Sequence, residues 1–198
     1  MGATRTLAAA VLALGGAIAA CQSSAQGFYI GGAAGRSDFN NDITTGLFTS
    51  GTVDTRSTGY KVFGGYQFGE HFGVEIAYVD LGKATYSGSY YGLPVTSGKV
   101  DVWGLNLSVV GTLPLNSTFA LFGKIGLFAW DASAQDVTGG VSFSESANGG
   151  DYSFGLGLRL NFTKNLSASI EWERFGLTGL YYDLGRADLL SLGMAYRF

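Results

Sequence analysis

From residue 27 onward the chain repeats with a period of two. Phe28 and Ile30, Val74, Ile76 and Tyr78, Leu105 and Leu107, Leu156, Leu158 and Leu160, and Ile170 and Trp172 place bulky side chains at alternate positions. The residues between them are mostly small or polar: Gly31, Ala33 and Gly35, Lys61, Gln67, Glu75, Asn106 and Ser108, Lys124, Gly155 and Gly157, Arg159, Ser167 and Ser169, Glu171 and Arg197. Successive side chains of a β-strand point to opposite faces, so this alternation assigns one set to each face of a sheet. No segment past the N-terminus shows a convincing helical period. Strands are expected at about 27–36, 58–68, 72–82, 98–112, 119–133, 151–162, 166–177 and 188–198.

Composition decides which face meets which medium. Only 14 % of residues are charged, 32 are glycine, and the mean hydropathy is positive. Such a surface solvates poorly, yet no segment past the N-terminus has the roughly 20 continuous apolar residues of a membrane helix. A membrane barrel resolves the conflict, because its lipid face shows only at every second residue. A soluble eight-stranded barrel with an apolar interior would have to cover its exterior with Gly, Ala and Ser, which suit a crowded lumen better than a solvated surface. Aromatics near strand ends (Phe28, Phe68, Phe72, Phe119, Phe162, Phe198 at one end; Tyr78, Trp103, Trp172 toward the other) match interfacial girdles. The expected fold is all-β: an eight-stranded antiparallel transmembrane up-and-down β-barrel.

The connections alternate in length. Gly69-Glu70-His71, Leu113 to Thr118 and Thr163-Lys164-Asn165 are tight, whereas 37–57, 83–97, 134–150 and 178–187 are long and rich in Ser, Thr, Gly, Asn and Asp. Short periplasmic turns opposite long outer loops are the pattern of Gram-negative outer-membrane barrels. The final run, Leu190, Leu192, Met194, Tyr196 and Phe198, ends on an aromatic with no polar cap. A free edge of that kind invites aggregation, so it is expected to close against the first strand.

Residues 1–25 read as a cleaved export signal. Arg5 precedes an unbroken small and apolar run from Leu7 to Ala20, and Ser23-Ser24-Ala25 suits a cut before Gln26, leaving a barrel domain at 26–198. Ile18-Ala19-Ala20-Cys21 also fits a lipoprotein box that would lipidate Cys21, and both readings stand. After cleavage at Gln26 no cysteine would remain, so no disulfide is expected.

FGGYQF (Phe63 to Phe68), VEIAYVDLG (Val74 to Gly82), GLFAWDA (Gly126 to Ala132) and LLSLGMAYRF (Leu189 to Phe198), in that order and spacing, resemble the transmembrane domain of the outer membrane protein A family. The resemblance runs over the whole chain after the signal. It implies that Leu190, Leu192, Met194, Tyr196 and Phe198 form the signal read by the barrel-assembly machinery. Long members continue into a periplasmic peptidoglycan-binding domain. With its end at Phe198 the chain is expected to be a short form without that tether.

Lumen-facing Glu75, Lys124, Arg159 and Glu171 stand out, on the third, fifth, sixth and seventh strands. Buried charges are costly alone, so two acids and two bases at similar depth are expected to pair and fill the barrel. The resemblance implies a comparable interior network that gates a very small pore by exchanging ion-pair partners. Glu75 and Lys124 match family charges, but Arg159 stands where the family has an acid, and Ser169 and Val110 replace basic members. A structural plug and a narrow gated pore for ions or small solutes are thus both open.

Other chemistry has little support. The single histidine, His71, lies in a tight turn away from the long loops, so no Ser-His-acid triad is expected near the outer leaflet, where a lipid-modifying barrel enzyme would need one. Asp136, Asp183 and Glu145 lack metal-ligand spacing, and Gly155-Leu156-Gly157 lacks the third glycine and the helix of a nucleotide loop. No cofactor or metal is expected. The net charge of −3 disfavours nucleic acid. Expected partners are outer-membrane lipid and lipopolysaccharide, the barrel-assembly machinery, and a host or envelope ligand at the loops, where YSGSYYGLP (Tyr86 to Pro94) offers adaptable Tyr, Ser and Gly contacts. The expected role is non-enzymatic, structural and surface-interacting.

Overall fold

A computed structural model describes residues 26–40, 50–90, 93–138, 141–178 and 183–198. The expected export signal, residues 1–25, and residues 41–49, 91–92, 139–140 and 179–182 lie outside them. The strands are β1 (Gly27–Asn40), β2 (Ser50–Asp54), β3 (Arg56–Gln67), β4 (Phe72–Tyr90), β5 (Leu93–Pro114), β6 (Phe119–Thr138), β7 (Val141–Asn161), β8 (Leu166–Thr178) and β9 (Asp183–Arg197). β2 and β3, parted only at Thr55, lie one after the other along β4 and make a single stave. The barrel therefore has eight staves, each antiparallel to its neighbours.

Closure is between the first and last staves. β1 pairs with β9 from Tyr29↔Arg197 to Asn40↔Arg186, and the Phe198 N–H donates to the Phe28 carbonyl at 3.0 Å. Leu190, Leu192, Met194, Tyr196 and Phe198 all face outward, Phe198 with 73 % of its surface exposed. The terminal strand thus has no free edge, and its greasy face belongs to the barrel exterior.

The exterior is apolar because the alternation holds around the wall. Ile125, Leu127, Leu156 and Leu192 project outward, while Lys61, Glu75, Lys124 and Glu171 are buried inside. Near the short turns, Phe28, Tyr66 and Phe68 stack edge to face, with centroids 4.8 and 5.2 Å apart. Toward the loops Tyr78 lies 5.8 Å from Trp103, and Phe154 lies 5.6 Å from Trp172. Amphipathic rings at both rims anchor a barrel at the two interfaces.

The structure departs from the sequence reading in two ways. First, 83–97 and 134–150 are mainly strand: β6 and β7 stay in register up to Thr138↔Val141. Ser, Gly and Asn are poor strand formers, but cross-strand pairing satisfies their backbone groups, and tertiary context overrides propensity. At about 3.3 Å per residue the 19 residues of β4 reach about 63 Å, or about 44 Å of height when tilted by about 45°, more than the roughly 30 Å hydrocarbon core. The barrel therefore stands above the membrane on its loop side. Second, the inward face is not uniformly small or charged: its turn-side half mixes Lys61, Glu75, Lys124 and Glu171 with Tyr29, Phe63 and Phe122. Nearer the loops it carries Val79, Leu81, Val102, Phe128, Trp130, Phe175, Leu177 and Leu189, all buried.

β4 is bent at Gly82, where its pairing with β5 shifts register after Asp80. Gly82 has φ +76°, and a Cβ there would strike Ser57 Oγ and the Thr58 carbonyl. Gly82→Val is expected to cost about 1–3 kcal/mol of stability from backbone strain. A lowered denaturant midpoint with unchanged slope is the expected reading, and an unmoved midpoint contradicts the bulge assignment.

Candidate functional site: a layered plug in the lumen

Four of the eight staves converge on an ionic layer. Lys61 on β3 pairs with Glu171 Oε2 at 2.6 Å and with Glu173, both on β8. Lys124 on β6 lies 2.7 Å from Glu75 Oε1 on β4 and 2.8 Å from Glu171 Oε1, the latter at ion-pair distance but off the hydrogen-bonding direction. The Tyr29 hydroxyl on β1 donates to Glu75 Oε2 at 3.0 Å. Glu171 thus joins both lysines, and three carboxylates share two ammonium groups. All five charged side chains are 4 % exposed or less.

The layer rests on aromatic rings. Lys124 Nζ lies 5.5 Å from the Phe63 centroid and 5.3 Å from that of Phe122, and Lys61 Nζ lies 5.6 Å from Phe63. Ring faces favour such cations. Phe122 fits because Gly157 leaves room: a Cβ at residue 157 would collide with the ring. On the loop side the lumen is closed again, with Phe128 and Phe175 packed at 4.7 Å between centroids and Trp130 buried beside them in the same apolar cluster. Ser153 donates to Asn106 at 2.7 Å, and Asn106 to Ser108 at 3.0 Å, joining β5 and β7.

Of the four residues singled out by sequence, Glu75, Lys124 and Glu171 come together and Arg159 does not. Among the described residues Arg159 makes no ion pair; its guanidinium lies 5.0 Å from the Phe122 centroid. Register is the cause: Arg159 stands opposite Ser169, whereas Gly157, one inward position nearer the loops, stands opposite Glu171. Sequence reasoning missed Lys61 and Glu173 as network members. Lys61 shares its face with Phe63 and Gln67, and Glu173 with Glu171, so parity pointed inward for both. Ser169 faces Arg159 across the strands, and Val110 is fully buried. His71 is exposed in its turn, where its carbonyl accepts from the Thr112 N–H at 2.7 Å. Among the described residues no three His, Cys, Asp or Glu cluster as a metal site would require.

The family profile of the outer membrane protein beta-barrel domain matches residues 6–198. The chain belongs to that family. It is 29 % identical over 182 residues to outer membrane protein A of Klebsiella pneumoniae, covering 86 % of this chain and 51 % of that protein. It spans about half the length of the curated relatives it matches. Among solved structures, Ail, the attachment invasion locus protein of Yersinia pestis, superposes with TM-score 0.55 at 20 % identity, over 87 % of this chain and 97 % of that one. OprG, an outer membrane protein of Pseudomonas aeruginosa, does so with TM-score 0.59 at 16 % identity, over 87 % and 96 %. Ail has also been solved in complex with the heparin analogue sucrose octasulfate. As a member of this family the protein resides in the Gram-negative outer membrane, and the outward Leu, Ile, Val and Phe side chains are its lipid face.

Proposed function

We propose that the protein is a plugged, non-enzymatic outer-membrane barrel with a structural role in the envelope and a surface-binding role on the strand pairs that rise above the membrane. The observation that carries this reading is the filled lumen. A charged layer and an apolar layer lie in series, so the wall is stiffened from within and the cross-section is occupied. The sequence of the hairpins β4–β5 and β6–β7 is rich in Ser, Thr, Tyr, Gly and Asn on the loop side, a mixture suited to adaptable contacts.

The charge of the four loop-side connections together indicates the kind of ligand. Over 37–57, 83–97, 134–150 and 178–187 the chain carries Asp38, Asp42, Asp54, Asp136, Glu145 and Asp183 against Arg56, Lys83 and Arg186. An acidic excess repels a polyanion such as the one bound by Ail, and favours a neutral or basic protein surface. Excising 87–96 from the refolded barrel is expected to abolish binding to its target cells, while altering the turn at 163–165 leaves it intact. Equal binding by both variants contradicts the surface role.

A narrow gated pore is the second reading. It draws on one observation: Glu171 holds both lysines, so ion-pair partners could exchange within one layer by side-chain rotation. The Phe128–Phe175 layer would also have to part. In planar bilayers the plug predicts a silent membrane over minutes; discrete conductance steps that vanish in Lys124→Met would establish the pore.

A further inference from the structure

The turn-side mouth of the lumen holds a feature that the plug does not use. Below the Phe122 ring lies a polar cavity of about 370 Å³, lined by Gln67, Thr112, Asn161, Arg159 and Arg197, with Glu70 at its rim. The five strand residues come from four staves, β3, β5, β7 and β9, and all face inward. Neither guanidinium makes an ion pair among the described residues, with Glu70 or with any other acid. Two further polar atoms, buried on residues that line the cavity, lack partners. One is Oε1 of Gln67, a side chain only 2 % exposed; the other is Oγ1 of Thr112. Burying such groups unpaired costs free energy, and a ligand that pairs them recovers it.

We infer that this periplasmic vestibule binds a small phosphate that keeps a P–OH group, as free monohydrogen phosphate or a singly ionised phosphomonoester. Two guanidiniums facing one cavity with no acid paired to either are the standard chemistry for an oxyanion. The Gln67 carbonyl oxygen adds a discriminating demand, because it can only accept a hydrogen bond. Monohydrogen phosphate keeps a P–OH group near neutral pH and can donate to it; sulfate has no such proton. Thr112 Oγ–H can donate to a phosphoryl oxygen. Glu70 carries one negative charge at the rim against two positive charges inside, which leaves the vestibule cationic.

The test uses the refolded barrel in a phosphate-free maltoside detergent at constant ionic strength, following the Arg Nε–H signals by NMR. Inorganic phosphate should shift the Arg159 and Arg197 signals saturably, and sulfate should bind about tenfold more weakly, the ratio of one lost hydrogen bond. Gln67→Ala should bring that ratio close to one, while Arg159→Gln or Arg197→Gln should weaken phosphate about tenfold or more. Retained heat-modifiable gel mobility shows that each variant is folded. In nanodiscs, phosphate-induced shifts with both phosphatidylcholine and phosphatidic acid assign the ligand to dissolved phosphate. Signals already shifted with phosphatidic acid alone assign it to a lipid headgroup. Shifts that fail to saturate, that are equal for sulfate, or that persist in the double Arg variant overturn the inference.

Discussion

Replacing Lys124 with Met is expected to lower the free energy of unfolding by about 3–5 kcal/mol, the usual cost of breaking a buried ion pair from one side. Lys124 is the group that ties Glu75 to Glu171, at 2.7 and 2.8 Å, and it lies against two rings. Its loss leaves three carboxylates facing Lys61 alone. The double variant Lys124→Met/Glu75→Gln removes one of the stranded charges together with its partner, and should recover a large part of the loss. Denaturant unfolding in lipid vesicles reads both. A double variant no more stable than the single one would show that the pair contributes through packing and not through charge. Glu173→Gln should cost only about 1 kcal/mol, because Lys61 keeps Glu171 and an amide oxygen can still accept its hydrogen bond.

Phe128→Ala should be comparably damaging, at about 3–5 kcal/mol, for a different reason. Phe128 is completely buried in the loop-side lumen against Phe175, and its loss opens a cavity that no neighbour fills. The next residue toward the N-terminus makes the control. Leu127 is 70 % exposed on the lipid face, where acyl chains can occupy the space of the missing atoms. Leu127→Ala should therefore lower stability far less. Equal losses at positions 127 and 128 would contradict the assignment of inside and outside.

The wall of the barrel was legible in the sequence because side-chain direction is a local property. Val74, Ile76 and Tyr78 point one way and Glu75, Ala77 and Val79 the other, whatever the rest of the chain does. What was not legible depends on register between distant strands. Lys61 meets Glu171 across 110 positions of sequence, and which inward residues share a layer follows from strand tilt and stagger around the closed barrel. Arg159 shows the same dependence, since one inward position along β7 moves it from the ionic layer to the vestibule. Phe128, Trp130 and Phe175 sit on the inward parity despite their bulk, so size alone misassigns them. Likewise Ser133 to Ser146 has the composition of a loop and the pairing of a hairpin.

The central claim is that bulky residues face hydrocarbon while the lumen is a filled stack, and the three tryptophans test it directly. Trp103 and Trp172 lie on the exterior, whereas Trp130 is 1 % exposed inside the apolar layer. Single-tryptophan variants reconstituted in bilayers of brominated phosphatidylcholine should show strong quenching of Trp103 and Trp172. Trp130 should resist both brominated lipid and aqueous acrylamide. Strong lipid quenching of Trp130, or acrylamide quenching that exposes it to water in the lumen, would contradict the filled and outward-greasy barrel described above.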